Sequence, residues 1–269
     1  MVIAALLLIN VFFLAVIFID TVDKTRSERQ AIENVCAVLR AGGIMIDPDD
    51  VNGGGAIRTM RTTREDETEA LIARAVLGET EMTDQGVILF YESAGRGRAE
   101  FASAGDFEIE LYEGVITASA GTVRTVQRIL REMKLETSEL NLSGEQGSEI
   151  VTAVSAYRGA SIFNCTIDFV FDGDSLVTIK GRYVTRVEAA EDGAEISTVG
   201  TALLVFLAAV KSEDRQEIDC TRIYEIRAGY MHRVVGSYGE SVIDPAWLIM
   251  TDAGRYVIVD ATGEIRLFS

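Results

Sequence analysis

Chemistry in this chain would have to be built from few parts: one histidine, His232, and three cysteines, Cys36, Cys165 and Cys220. A serine or cysteine nucleophile needs a base beside it, and His232 is the one imidazole on offer. It sits in Tyr230-Met231-His232-Arg233, a strand-like stretch, where a surface or strand-edge position is expected. There is no G-x-S-x-G turn and no H-E-x-x-H pair, so neither a nucleophile elbow nor a two-histidine metal site has its motif. No two cysteines form a C-x-x-C pair, which leaves zinc and dithiol chemistry without ligand spacing. Three thiols make no disulfide framework; they read as buried and free, with a Cys165–Cys220 bridge as the alternative.

Carboxylates are abundant, with 42 acidic residues against 25 basic ones and a formal charge of −17. Asp172-Gly173-Asp174 lacks the alternating oxygen ligands and closing glutamate of a calcium loop, and reads as a hairpin turn. Glu188, Glu191 and Asp192 cluster near another turn, as solvated charges do. Singling out two of so many acids as general acid and base would be arbitrary, so no catalytic residue, metal or cofactor is expected. The same acidity argues against nucleic acid, which is held by neutralising phosphates with lysine and arginine. It argues equally against a domain lying flat on an anionic leaflet.

A different kind of chemistry is available to Asn10. It interrupts an otherwise apolar run, Met1 to Ile19, which Asp20 closes. As a helix rising about 1.5 Å per residue, that run is roughly 28 Å long, close to the hydrocarbon thickness of a bilayer. No basic leader precedes it and no A-x-A-like site follows, so an uncleaved anchor over residues 1–20 is expected rather than a signal peptide. A carboxamide in such a span seeks a hydrogen bond on another helix, worth about 0.6–2 kcal/mol. Asn10, with Leu6, Phe13 and Leu14 around it, is therefore the candidate contact to a second membrane helix. Lys24, Arg26 and Arg29 follow the run, and counted literally they would keep the rest of the chain in the cytoplasm.

The elements that would carry these residues can be read from periodicity. Thr21 to Gly43 is helical, with Ile32, Val35, Cys36, Val38 and Leu39 on one face and Gly42-Gly43 as the stop. Ile44 to Pro48 is extended, and residues 49–56 form a loop whose three glycines lack the lysine of a phosphate loop. A helix is expected at Glu65–Leu77, then a meander over Gly86–Ser93, Arg98–Ala104 and Asp106–Tyr112, then a second helix at Gly121–Leu135. The stretch Glu136–Ser148 reads as the boundary of a second unit. Beyond it lie strands at Ile150–Ala156, Ser161–Phe171 and Leu176–Val187, and an apolar helix at Ser197–Lys211 that is too short to span a membrane. Strands at Arg222–Ala228, Met231–Val235, Ala246–Met250, Tyr256–Asp260 and Ile265–Phe268 complete the chain. The expected fold is α+β: an N-terminal transmembrane helix (1–20), a linker helix and first strand (21–48), then two antiparallel sheet-plus-helix subdomains at 49–140 and 141–269.

Two stretches resemble the YycI family of Gram-positive two-component-system regulators, related in architecture to YycH. One is LLLINVFFLAVIF followed by Glu33 to Ile44, a Leu-Asn-containing span, a short helix and a glycine-isoleucine lead into the first strand. The other is Trp247 to Ile265, similar to the closing hairpin of YycI and of PepSY-type modules, with Asp260-Ala261-Thr262-Gly263 as its tight turn. Family members usually begin with a short basic leader, from which this sequence departs. The resemblance implies a single-pass protein with residues 21–269 extracytoplasmic and attached to the lipid bilayer through residues 1–19. It also implies a non-enzymatic role, restraining a WalK/YycG-type membrane sensor histidine kinase of cell-wall homeostasis beside a YycH-like companion. The alternative is an anchored PepSY-like module that binds or inhibits an extracytoplasmic protease or cell-wall enzyme.

Overall fold

A computed structural model describes residues 27, 29–51, 55–102, 105–145, 147–212, 219–235, 240–260 and 263–268. The first helix, α1, runs over residues 29–41 and buries Cys36 and Leu39. Gly43, at φ 89°, ends it: Ile44 N–H donates to Leu39 O and Gly43 N–H to Arg40 O, which satisfies two carbonyls of the last turn. The other helices are α2 (Asp66–Leu77), α3 (Thr122–Glu132) and α4 (Val199–Val210), the last capped by Thr198 Oγ1, which accepts from Thr201 N–H. No described helix is long and apolar enough to cross a membrane.

Among the described residues fourteen strands form one mixed sheet. They are β1 (Met60–Thr62), β2 (Glu81–Asp84), β3 (Ile88–Ser93), β4 (Gly97–Ala102), β5 (Asp106–Leu111), β6 (Thr137–Glu145) and β7 (Ser148–Tyr157). Then come β8 (Ala160–Asp172), β9 (Ser175–Arg182), β10 (Val187–Ala189), β11 (Ile223–Val234), β12 (Ser241–Thr251), β13 (Gly254–Val259) and β14 (Glu264–Phe268). The spatial order is β10-β1-β12-β11-β8-β9-β5-β4-β3-β2, with β7 and β6 added at β8 and with β13 and β14 added at β12. Strands β4 and β5 show why one face is covered: Ala99, Phe101, Phe107 and Ile109 point inward, while Arg98, Glu100, Glu108 and Glu110 alternate outward. The inward face packs on Ile72, Val76 and Leu77 of α2 and Val126, Ile129 and Leu130 of α3. A second core joins Cys36 and Leu39 of α1 and Leu203 and Phe206 of α4 to Ile226, Trp247, Ile249 and Ile258 of the other half-sheet.

Strand β8 unites the halves. Its C-terminal part pairs antiparallel with β9, and Ile162 near its start pairs in parallel with Tyr230 of β11. Gly229 permits that approach, since a Cβ there would lie 2.4 Å from Phe163 Cζ and 2.6 Å from Ser161 O. Asn164 completes the seam: its side chain donates to His232 O at 2.8 Å and accepts from His232 N–H at 2.7 Å, so a carboxamide stands in for a backbone unit. Gly229→Ala is expected to destabilise the fold by about 1–3 kcal/mol through overpacking. Urea denaturation measures this; an unchanged midpoint would mean that the seam yields freely.

Several expectations are corrected. The two separate antiparallel subdomains are replaced by one continuous mixed sheet. Position 140/141 falls inside β6, and β1, from the first expected unit, pairs with β10 and β12 of the second. The expected transmembrane helix has no counterpart among the described residues, and residues 1–20 lie outside them. The stretch read as a boundary is strand β6, and β2 was not expected at all. Both lie at sheet edges with little burial, so neither carries the inward–outward alternation that reveals a strand. The two strands expected around residues 222–235 are one strand, because Gly229 marks a close approach and not a break.

Candidate functional site

Asn10, Leu6, Phe13 and Leu14 lie outside the described residues. His232 is not at the surface as expected: it is 6% exposed in β11, and its Nδ1 has no hydrogen-bond partner. Burial, aided by the charge of Arg182, lowers its pKa to about 4. Cys36, Cys165 and Cys220 are buried and free. Burial pushes the Cys165 thiol up to about 12 and the Cys220 thiol up to about 11. A working thiolate–imidazole pair needs the opposite, a lowered thiol beside a protonatable ring. Asp172-Gly173-Asp174 closes the β8–β9 hairpin with Gly173 at φ 55°, as expected. Glu188 pairs with Arg186 at 3.3 Å, and Glu191 and Asp192 are exposed. Among the described residues no three histidine, cysteine or carboxylate side chains gather as metal ligands.

One carboxylate escaped the sequence reading. Glu69 of α2 is 0% exposed and receives Arg64 Nε at 2.7 Å, Arg64 Nη2 at 2.8 Å and the Tyr183 hydroxyl at 2.9 Å. Arg64 also reaches Phe101 O at 3.3 Å. Burial, then the charge of Glu69, raise the Tyr183 phenol far above its ordinary range. Both Glu69 oxygens are engaged by protein donors, and the constellation serves to tie α2 to the sheet.

The arrangement best suited to meet a ligand lies above the seam of the two half-sheets. A groove of about 530 Å³ runs between the β7–β8 turn and β11, lined by Arg58, Met60, Tyr157, Arg158, Arg227 and Tyr230. Tyr157 and Tyr230 meet edge to face with ring centroids 6.2 Å apart, and Arg158 stacks over Tyr157 at 5.3 Å. Arg227 is held by Glu139. Arg58 and Arg158 are exposed and have no ion pair among the described residues. Both lie close enough to Tyr230 that their charges act on its phenol, whose pKa burial nevertheless raises. An apolar cavity of about 370 Å³, lined by Ile32, Ile57, Ile196 and Trp247, lies on the other side of residues 55–57.

The backbone around the groove is unusual. Three described non-glycine residues have positive φ, and all are basic: Lys134 (57°), Arg158 (51°) and Arg186 (42°). Lys134 and Arg186 line a cavity of about 330 Å³ that shares Tyr157 with the groove. Lys134 ends α3, with Leu135 N–H donating to Leu130 O at 3.1 Å, at a position that commonly takes glycine. Arg158 and Gly159 form the two-residue turn between Tyr157 and Ala160, and the Glu136 carboxylate accepts from their N–H groups at 3.0 and 2.6 Å. Turns of this kind favour Asn-Gly or Gly-Gly. The Arg-Gly dipeptide at a hairpin tip is thus the sequence signal that could have exposed this site.

No family model and no curated protein matches the chain. A solved structure of an uncharacterized protein from Eubacterium rectale ATCC 33656 is similar at a TM-score of 0.44 with 12% identity, covering 81% of this chain and 87% of that one.

Proposed function

We propose that this chain is a membrane-attached regulatory protein that acts through protein–protein contacts, restraining a sensor histidine kinase of the WalK/YycG type from the extracytoplasmic side. The observation that carries the reading is the sequence of residues 1–19, apolar but for Asn10 and matched in length to a bilayer. The YycI-like features of residues 33–44 and 247–265 support it. The chemistry of the described residues is compatible, because the buried thiols and the single imidazole sit in states unsuited to nucleophilic work. In this reading Asn10, with Leu6, Phe13 and Leu14, contacts the kinase within the membrane, and the strand-rich region sets the geometry of the assembly beside a YycH-like companion.

A photoreactive residue at position 10, crosslinked in cells, tests the reading. Capture of a sensor kinase is the expected outcome. Capture of lipid alone, with residues 21–269 still retaining a partner, would transfer the function to the extramembrane region.

A further inference from the structure

We propose that the groove at the sheet seam binds a small oxyanion, a phosphate or carboxylate carried on a flat or apolar body, through Arg58 and Arg158 over the Tyr157–Tyr230 floor. This site is independent of the regulatory reading and of residues 1–20. Three observations carry it.

The first is unspent charge. In a chain with 42 acidic residues, several strand arginines find carboxylates, Arg98 with Glu110, Arg182 with Asp106 and Arg233 with Asp244, although Arg61 and Arg255 have no ion pair among the described residues. Arg58 and Arg158 have none among the described residues, although both face Tyr230 in one groove. Both guanidinium groups line the same groove, Arg58 at a bridge to Glu195, and an oxyanion entering it can accept charge-assisted N–H donors from either.

The second is the backbone of Arg158. A left-handed φ of 51° is costly for any side chain with a Cβ and free for glycine. The turn needs only backbone there, because the N–H groups of residues 158 and 159 are already held by Glu136. The strained position carries a guanidinium stacked over Tyr157, which points to use of the side chain rather than of the turn.

The third is size and field. A groove of about 530 Å³ falls in the range of small-molecule sites. The net charge of −17 repels polyanions such as nucleic acid or an anionic membrane at long range. Screening over about 8 Å at physiological salt leaves the local arginine pair to dominate for a small ligand that has already entered. The tyrosine edges and Met60 give the body of that ligand an apolar surface.

Phenyl phosphate, inorganic phosphate and phenol are the probes, titrated by calorimetry into the full chain in neutral detergent. Phenyl phosphate should bind saturably and more tightly than either of the other two, and more weakly as salt is raised. Arg158→Gly should weaken it by about tenfold or more, the loss of one charge-assisted contact. That variant should melt no lower than the parent, since glycine takes this φ without strain. Arg58→Ala should weaken binding similarly, while Arg128→Ala, on the exposed side of α3, should not. Absence of saturable binding up to about 10 mM would overturn the site. So would equal affinity in the parent, Arg158→Gly and Arg58→Ala. Tighter binding of inorganic phosphate than of phenyl phosphate would remove the role given to the tyrosine floor.

Discussion

Arg64→Ala is expected to cost about 3–5 kcal/mol, because it strands a buried, charged Glu69. Glu69 is 0% exposed and takes two of its three hydrogen bonds from Arg64, at 2.7 and 2.8 Å. The remaining donor, Tyr183 at 2.9 Å, cannot neutralise a carboxylate. For a chain of this size each kcal/mol lowers the melting temperature by about 2–4 °C, so the expected fall is on the order of 6–20 °C. Salt should not rescue the variant, because ions screen exposed pairs and not a buried one. The triple replacement Arg64→Met, Glu69→Leu, Tyr183→Phe should recover most of the loss, since removing a whole buried network is far cheaper than breaking it. A melting curve for Arg64→Ala that overlays the parent's would show that Glu69 reaches water or a proton, and would sink this account of the α2–sheet contact.

The second large effect is on pH. His232 titrates near 4 in the folded chain, against 6.5 for an unperturbed imidazole. Between those values the unfolded chain holds a proton that the folded chain refuses, so stability rises with pH across the window. The contribution is fully present above about pH 6.5, is lost progressively as pH falls toward 4, and amounts to about 3 kcal/mol. Asn164 fixes the backbone of His232, Asp106 and Arg182 act on its ring by charge, and Nδ1 has no partner, so protonation brings no new bond. Because His232 is the only histidine, a single imidazole NMR resonance reports its titration directly. Urea denaturation at pH 7 and pH 4.5 should show a larger drop for the parent than for His232→Met. A resonance midpoint near 6.5, or equal drops in both proteins, would place the ring in contact with water.

Expectation and structure agree where the determining contacts are local. The helix expected at Gly121–Leu135 forms as α3, with Val126, Ile129, Leu130 and Met133 buried and Val123 partly so, and the apolar helix expected at Ser197–Lys211 forms as α4. The β8–β9 turn falls at Asp172–Asp174, and the closing hairpin pairs β13 with β14. They part where an element has no buried face to announce it, as in β2 and β6, or where a glycine admits another strand, as at Gly229. Of the candidate groove only the Arg158-Gly159 tip left a mark in the sequence. Arg58, Arg158 and Tyr230 belong to a loop, a hairpin tip and a distant strand, and no periodicity links them.

What the sequence alone determined is therefore the set of strands and helices with strong alternation or stripes, the acidity of the surface, and the apolar character of residues 1–19, since each depends on neighbours a few residues apart. Tertiary structure alone decided that fourteen strands make one sheet and not two, that β1 crosses into the far half, and that Glu69 meets Tyr183 across 114 positions. Strand order and long-range pairs are set by which faces can be buried together, and that is a property of the folded whole.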